Sequence, residues 1–279
     1  MFDRFDRKID YLRISVTDKC DLRCVYCMPA EGVPHLRHED VLSFEEILEV
    51  TRAAVAMGVV KVRITGGEPL VRRGIVALVS MLAGVEGIDD LAMTTNGTRL
   101  AAFARPLADA GLRRVNISLD ALDAARYAAI TRGGDVADVF AGIEAARDAG
   151  LDPIKLNCVV RESPDEPDAR AVAAFGAARG IEVRYIRRMN LSDGVFTKVI
   201  GGRGGDCPRC NRLRLSCDGM VRPCLFSDLV FSVRELGPVE AIRRAVAEKP
   251  RSEKRTERLC RKAARRSSAF FLESSSIIS

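Results

Sequence analysis

Residues 11–27 read YLRISVTDKCDLRCVYC, a short β-rich run that leads directly into three closely spaced cysteines. Five more β-rich runs follow, separated by helical stretches. The six strands are predicted at Tyr11–Val16, Val59–Thr65, Leu91–Thr95, Arg114–Leu119, Ile154–Val160 and Glu182–Arg187. Six β-α units in series imply an α/β fold with a parallel sheet and right-handed crossovers. Periodicity alone does not separate an open sheet from a complete or partial barrel.

Chemistry in such folds is expected at the C-terminal ends of the strands. Unusual residues do follow the predicted strands: the first cysteines, Gly66-Gly67-Glu68-Pro69, Thr95-Asn96-Gly97 and Ser118-Leu119-Asp120. The intervening helices are predicted at Ser43–Met57, Gly74–Leu82, Leu100–Ala110, Val136–Ala149 and Asp168–Arg179. Ser43 and Glu46 form a capping box at the start of the first helix.

The pattern changes after Arg188. Residues 194–205 are rich in glycine and predict a loop. Asp218-Gly219 then lies between two short β-rich runs and predicts a hairpin, which returns Cys224 toward Cys207 and Cys210. A last helix is predicted over Val239–Ala247.

Composition limits the function classes. The 279 residues are 47% hydrophobic and contain no apolar run long enough to span a membrane. The N-terminus has no apolar signal region, which predicts a cytoplasmic protein without a membrane partner. The net charge of +6 matches that of the segment Arg251–Arg266 alone, so the rest is near neutral and a nucleic-acid partner is not indicated.

Seven of the nine cysteines fall in two groups, one near each end of the chain. Clustered cysteines in a reducing compartment indicate metal ligands. Cys158 and Cys260 are isolated and are predicted to be structural.

The first group, Cys20, Cys24 and Cys27, supplies three thiolates within eight residues. A [4Fe–4S] cluster normally takes four, so three ligands leave one iron open to chelate a small molecule. Zinc is the alternative, with His35 or His38 as the fourth ligand. The second group is Cys207, Cys210, Cys217 and Cys224. Cys207, Cys210 and Cys224 are predicted to form a second three-cysteine set, and the alternative is a zinc knuckle with Cys217 as the fourth ligand.

The C-x3-C-x2-C spacing with Tyr26 resembles the radical S-adenosylmethionine (SAM) superfamily, and Gly66-Gly67-Glu68-Pro69 resembles its glycine-rich motif. The resemblance implies a partial (β/α)6 TIM-type barrel and a cluster whose open iron binds SAM. An electron from that cluster would cleave SAM to methionine and a 5′-deoxyadenosyl radical. The SAM contacts it implies are Tyr26, Gly67, Glu68, Thr94, Asn96, Ser118 and Met189.

Two further stretches resemble the GTP 3′,8-cyclase family of molybdenum cofactor biosynthesis: Ile9 to Asp18, and Cys210 to Leu215 continued by Arg222-Pro223-Cys224. The likeness implies a radical SAM lyase with a second three-cysteine [4Fe–4S] cluster that faces GTP. It also implies a reducing electron donor and allows a homodimer. The basic residues implied to grip the substrate are Arg13, Lys61, Arg63, Lys155, Arg184, Arg212 and Arg214.

The expected organisation is a core barrel over residues 1–190, an auxiliary cluster module over 191–250 and a basic tail over 251–279. The chain departs from that family in two places. It ends in Ser274 to Ser279 where the family has Gly-Gly, and the segment before Cys207 is shorter. Two alternatives therefore stay open: a related radical SAM enzyme acting on another nucleotide, a small metabolite or a peptide, and a metal-stabilised module that binds nucleic acid.

Overall fold

Six parallel strands form the main part of the fold in the computed structural model, which describes residues 1–188 and 197–251. Each strand pairs with the next along the chain. They are β1 (Tyr11–Ser15), β2 (Lys61–Thr65), β3 (Asp90–Thr95), β4 (Arg114–Ser118), β5 (Lys155–Val160) and β6 (Glu182–Arg187). All six predicted strands are confirmed, with bounds that shift by no more than two residues.

Six helices connect these strands: α1 (Phe44–Ala56), α2 (Ile75–Ala83), α3 (Leu100–Asp109), α4 (Ala124–Thr131), α5 (Val136–Asp148) and α6 (Pro167–Ala178). The capping box at α1 is confirmed, because the Ser43 side chain accepts from the Glu46 N–H while the Glu46 carboxylate accepts from the Ser43 N–H. Helix α4 was not predicted. It has only eight residues and buries only Tyr127 and Thr131, so its apolar pattern is weak.

The chain after residue 197 extends the same sheet. Strand β7 (Arg212–Leu215) pairs in parallel with β1, with Tyr11 opposite Arg212 and Arg13 opposite Arg214. The predicted hairpin is confirmed by β8 (Met220–Arg222), which runs antiparallel to β7. The short strand β9 (Phe231–Ser232) was not predicted; it is followed by α7 (Val233–Leu236) and α8 (Pro238–Ala247). The complete order is β6-β5-β4-β3-β2-β1-β7-β8-β9.

The two faces of the sheet differ in chemistry. Leu12 and Ile14 of β1 are fully buried in the hydrophobic core. Tyr11 and Arg13 point to the other face, because side chains alternate along a strand. Residues of that face from all of β1–β7 line a single cavity, so the sheet curls around it as a partial barrel. Within the described part of the chain, no helix is long and apolar enough to cross a membrane.

Candidate functional site

The first three cysteines lie in the loop that leaves the C-terminal end of β1. The N–H groups of Cys27 and Met28 both donate to the Cys24 carbonyl and wrap the loop into a tight turn. Burial, followed by the nearby negative charges, raises the pKa of Cys20 to about 12. The hydrogen bond that the Cys27 thiol makes with Cys24, together with burial, raises the pKa of Cys27. Cys20 and Cys27 would therefore ionise readily only beside positive charge, and the irons of a cluster would supply it.

The Gly66-Gly67-Glu68-Pro69 turn docks directly onto this cysteine loop. The Gly67 N–H donates to the Thr17 carbonyl at 2.7 Å, and the Glu68 N–H donates to the Lys19 carbonyl at 2.8 Å. A Cβ atom on Gly67 would lie 2.2 Å from the Lys19 oxygen. The sequence predicted that glycine allows a close approach of SAM; in the structure the close approach is made by the backbone next to Cys20.

Glu68 and Asn96, both predicted SAM contacts, bind neighbouring protein groups. The buried Glu68 carboxylate accepts from the Thr95 hydroxyl at 2.7 Å and from the N–H groups of Asn96 and Leu70 at 2.6 and 3.0 Å. Burial nevertheless raises the pKa of Glu68 to about 7. The Asn96 amide donates to Asp21 of the cysteine loop at 2.7 Å. These bonds tie the turns after β2 and β3 to the loop after β1.

Tyr26 is bonded to an acid to which the sequence assigned no role. Its hydroxyl donates to Asp120, whose other oxygen accepts from the Val159 N–H at 2.7 Å. Burial raises the pKa of Asp120 to about 6. The signal was the polar run Ser118-Leu119-Asp120 after a strand, and Ser118 itself ends β4 on the face that lines the cavity. Asp120 thus anchors the aromatic ring of the cysteine loop to β4 and β5.

A cavity of about 670 Å3 lies inside the curled sheet. All seven basic residues predicted to grip a substrate line it: Arg13, Lys61, Arg63, Lys155, Arg184, Arg212 and Arg214. They occupy the first or third position of their strands, so the cavity lies in the N-terminal halves of the strands. The first cysteine set, in contrast, follows the C-terminal end of β1. The expectation that the chemistry gathers at the C-terminal ends of the strands stays a prediction.

The cavity is strongly electropositive. Nine Arg or Lys residues and three acids line it, a net charge of +6. The acids already have partners: Asp90 bonds Arg114, Asp206 bonds Lys198, and Glu182 bonds both Lys155 and Arg184. A ligand with several negative charges is the natural complement of this lining.

Tyr11, Arg13 and Arg63 lie next to one another on β1 and β2 in the wall of the cavity. The Arg63 guanidinium donates to the Tyr11 hydroxyl at 2.5 Å and to the Thr94 hydroxyl at 3.0 Å, so its orientation is fixed by neutral groups. Burial, with the repulsion of Arg214, Arg63 and Arg212, lowers the pKa of Arg13 to about 9, although Tyr11 opposes this shift. Thr94, a predicted SAM contact, therefore accepts a hydrogen bond from Arg63, a predicted substrate-binding residue. The predicted SAM site and the predicted substrate site are continuous at this point.

Sequence reasoning missed six of the residues that line this cavity: Tyr11, Asp90, Arg114, Asn116, Asn157 and Glu182. The strand pattern contained a signal for these residues. Each lies two or four positions along its strand from a predicted site residue, or pairs with one on the neighbouring strand, and so lies on the same face of the sheet. For example, Asn116 pairs with Lys155, and Asn157 pairs with Arg184. The period-2 pattern of each strand would have identified them once the inward face was known.

The second cysteine set, Cys207, Cys210 and Cys224, opens onto the same cavity. Cys210 lies just before β7, and Cys224 lies just after the antiparallel β8, so both are at the N-terminal edge of β1 and β7. The first set lies at the opposite edge, beyond the C-terminal end of β1. A strand rises about 3.3 Å per residue, so the five residues of β1 alone separate the two edges by roughly 13 Å.

Cys217 does not belong to the second set. It follows the C-terminal end of β7, whereas Cys210 precedes the N-terminal end of the same strand. Its buried thiol lies near Ser15 and Asp18, beyond β1, and burial raises its pKa to about 12. The zinc knuckle completed by Cys217 is therefore wrong.

Lys249 is a buried cation beside the second set, and the sequence analysis did not predict its burial or a role for it. Its ammonium group donates to the carbonyls of Arg212, at 2.7 Å, and of Pro223. Burial alone would raise the pKa of Cys210, but Lys249 and Arg212 outweigh it and lower the pKa to about 6. A thiol that ionises this readily suits a metal ligand.

The remaining predictions can be placed as follows. Within residues 1–188 and 197–251, no three His, Cys, Asp or Glu side chains are grouped so as to hold a single metal ion. The ligands of a [4Fe–4S] cube bind separate irons and need not converge on one point. Met189 and the tail beyond Arg251 lie outside the described residues.

Comparison with known proteins gives concordant results. A sequence model described as the Radical SAM superfamily matches residues 14–173. The GTP 3′,8-cyclase of Thermodesulfovibrio yellowstonii is 40% identical, with 85% of this chain and 88% of that protein covered. The GTP 3′,8-cyclase of Geobacter sulfurreducens is also 40% identical, with 90% and 93% covered.

Two solved structures share the fold. SuiB of Streptococcus suis bound to S-adenosylmethionine superposes with a TM-score of 0.63 at 14% identity, over 86% of this chain and 64% of that one. The protein anSMEcpe with bound AdoMet gives a TM-score of 0.62 at 14% identity, over 88% and 82%. At such identities the likeness concerns the fold alone.

Proposed function

The chain belongs to the radical SAM superfamily and, within it, to the GTP 3′,8-cyclase family, and we propose that it rearranges GTP to (8S)-3′,8-cyclo-7,8-dihydroguanosine 5′-triphosphate. The reaction would serve molybdenum cofactor biosynthesis and would make the enzyme a lyase. It would draw electrons from a reducing electron donor.

The electropositive cavity between the two cysteine sets carries this proposal. Its net charge of +6 suits a triphosphate, and its volume lies in the range of small-molecule sites. Arginine binds phosphate oxygens with two parallel N–H groups, a geometry that lysine does not offer. Arg63 is already oriented by Tyr11 and Thr94, which lowers the cost of ordering it on binding.

Cys20, Cys24 and Cys27 would hold the SAM-binding [4Fe–4S] cluster. When bound, this cluster supplies the electron that splits SAM into methionine and a 5′-deoxyadenosyl radical. Around it, Glu68 and Asn96 hold the loops after β2 and β3 against the cysteine loop, and Asp120 holds Tyr26. Tyr26, Gly67, Thr94 and Ser118 would then face SAM at the C-terminal edge of the sheet.

Residues 197–250 would carry a second [4Fe–4S] cluster on Cys207, Cys210 and Cys224. The proposal is supported by the three thiols that share the cavity with the basic residues, and by the low pKa of Cys210. Arg212 and Arg214 leave this set on one face of β7, opposite Tyr11 and Arg13 of β1. A nucleotide in the cavity would therefore touch both the second cysteine set and the phosphate-binding arginines.

Anaerobic turnover tests the proposal directly. The reconstituted protein would be incubated with SAM, dithionite and GTP, and the products 5′-deoxyadenosine and cyclised nucleotide would be followed by mass spectrometry. We expect GTP-dependent 5′-deoxyadenosine and a 3′,8-linked product. Slow 5′-deoxyadenosine formation that does not depend on GTP would show that GTP is not the substrate, while leaving the superfamily assignment intact. ATP and CTP serve as matched controls for base recognition.

A further inference from the structure

Lys249 bridges the two chain segments that carry the second cysteine set. The side chain is only 1% exposed although it follows the last described helix, α8. Its ammonium group donates to the carbonyl of Arg212, two residues after Cys210, and to the carbonyl of Pro223, the residue before Cys224. One side chain therefore fixes the spacing between both parts of the set.

Within the described part of the chain, no acid balances the charge of Lys249. Among the ion pairs of residues 1–188 and 197–251, no carboxylate is paired with it, and both acceptors of its hydrogen bonds are neutral. A buried ammonium group is costly unless a negative charge compensates it. The sulfur atoms of Cys210 and Cys224 are close enough to interact with it electrostatically.

Arg7, another buried cation near this set, shows the contrast. It donates to the Cys207 carbonyl at 2.8 Å and to the Pro250 carbonyl at 2.7 Å, so it also holds the set in place. Its charge is neutralised by the buried Asp3, at 2.7 Å. Arg7 therefore positions the backbone, whereas Lys249 also leaves a net positive charge beside the sulfur atoms.

We propose that Lys249 is a positioning residue for the second cluster and raises its reduction potential. The inference rests on the proposed function, because it presumes a [4Fe–4S] cluster on Cys207, Cys210 and Cys224. A cluster held by three thiolates becomes more negative when it accepts one electron. A buried cation stabilises the reduced form more than the oxidised form, since the interaction is weakly screened away from water.

The test measures the potential of the second cluster alone. The parent for this test is the full chain with Cys20, Cys24 and Cys27 replaced by alanine, and dithionite supplies the single electron during a redox titration followed by electron paramagnetic resonance. We expect Lys249→Gln, which keeps an N–H donor but loses the charge, to shift the midpoint potential to a more negative value. Lys249→Arg should return it toward that of the parent.

A matched control is available at the same edge of the sheet. Lys8 is exposed and lies three residues before β1, next to Arg7. Because solvent screens an exposed charge, Lys8→Met should leave the potential unchanged.

The outcomes separate this inference from the proposed function. An iron-loaded Lys249→Gln protein with the potential of the parent would overturn the role of Lys249 alone. If Lys249→Gln fails to fold or to load iron, the potentials of Lys249→Met and Lys249→Arg decide. Equal midpoint potentials in these two variants, one without the charge and one with it, would also overturn the role of Lys249. A parent that binds no iron at the second set would overturn the second cluster and this inference together.

Discussion

Replacing Gly67 with alanine should separate the glycine-rich turn from the first cysteine loop. The new Cβ would lie 2.2 Å from the Lys19 oxygen and 2.6 Å from its carbonyl carbon, and neither atom can rotate away. Real Cβ contacts below 3.0 Å are essentially never observed, so the turn must retreat by about 0.8 Å. The N–H bonds of Gly67 and Glu68 to the loop, at 2.7 and 2.8 Å, would be lost.

The expected cost follows from those two bonds. At about 1 kcal/mol each, the free energy of unfolding should fall by about 2 kcal/mol. Urea unfolding of the apo-protein measures this change, and SAM cleavage by the reconstituted protein measures the displacement of the Cys20 loop. We expect cleavage to drop well below that of the wild type.

Gly84→Ala is the matched control for this substitution. Gly84 has φ −77°, and a Cβ there would meet only ordinary contacts at 3.6 Å. It should leave both quantities unchanged or slightly raise the stability. If Gly67→Ala unfolds within about 0.5 kcal/mol of the wild type and cleaves SAM normally, the inferred packing of the turn against the loop is wrong.

Three further predictions concern the two ends of the site. Cys24→Ala should abolish SAM cleavage, measured as 5′-deoxyadenosine, whereas Cys210→Ala should spare cleavage but stop formation of the cyclised product from GTP. If both variants lose SAM cleavage to the same extent, the two cysteine sets do not have separate roles. Arg212→Gln should weaken GTP binding about tenfold, the value of one lost charge-assisted bond, while Arg209→Gln, whose side chain is 84% exposed, should change the Kd less than about twofold in equilibrium dialysis. Burial raises the pKa of Asp120 to about 6, so the folded protein holds this proton more tightly than the unfolded chain. The contribution of Asp120 to the free energy of unfolding should therefore fall as pH rises from about 4 to 6. In urea titrations of the apo-protein, the stability of Asp120→Asn should therefore rise relative to that of the wild type over this pH range. A difference between the two proteins that does not change with pH would argue against the buried acid.

Local sequence patterns predicted the elements of the fold and the chemistry of the cysteines. Strand and helix order depends on side-chain periodicity and on caps such as Ser43 with Glu46, which act over a few residues. Elements with little local signal, such as α4 and the two-residue β9, were missed. The seven basic residues were named by resemblance, and the structure brings all of them to one cavity.

Long-range contacts decided what the residues do together. Glu182 neutralises Lys155 and Arg184, and Asp120 holds Tyr26, although the sequence analysis assigned a role to neither acid. The same holds for Lys249, whose burial depends on the packing of α8 against the end of the hairpin. A single lysine in a sequence gives no sign that its charge will be enclosed.

The sequence by itself determined an α/β chain of six β-α units, two three-cysteine sets and the basic side chains between them. Each of these features depends only on residue types and on spacings of a few residues. Only the tertiary structure decided that the two groups lie at opposite edges of one curled sheet, that Cys217 belongs to neither, and that the cavity occupies the N-terminal halves of the strands. These features depend on β7 pairing with β1, some two hundred residues earlier in the chain. Such pairing is selected by the burial of whole faces, which no local pattern encodes.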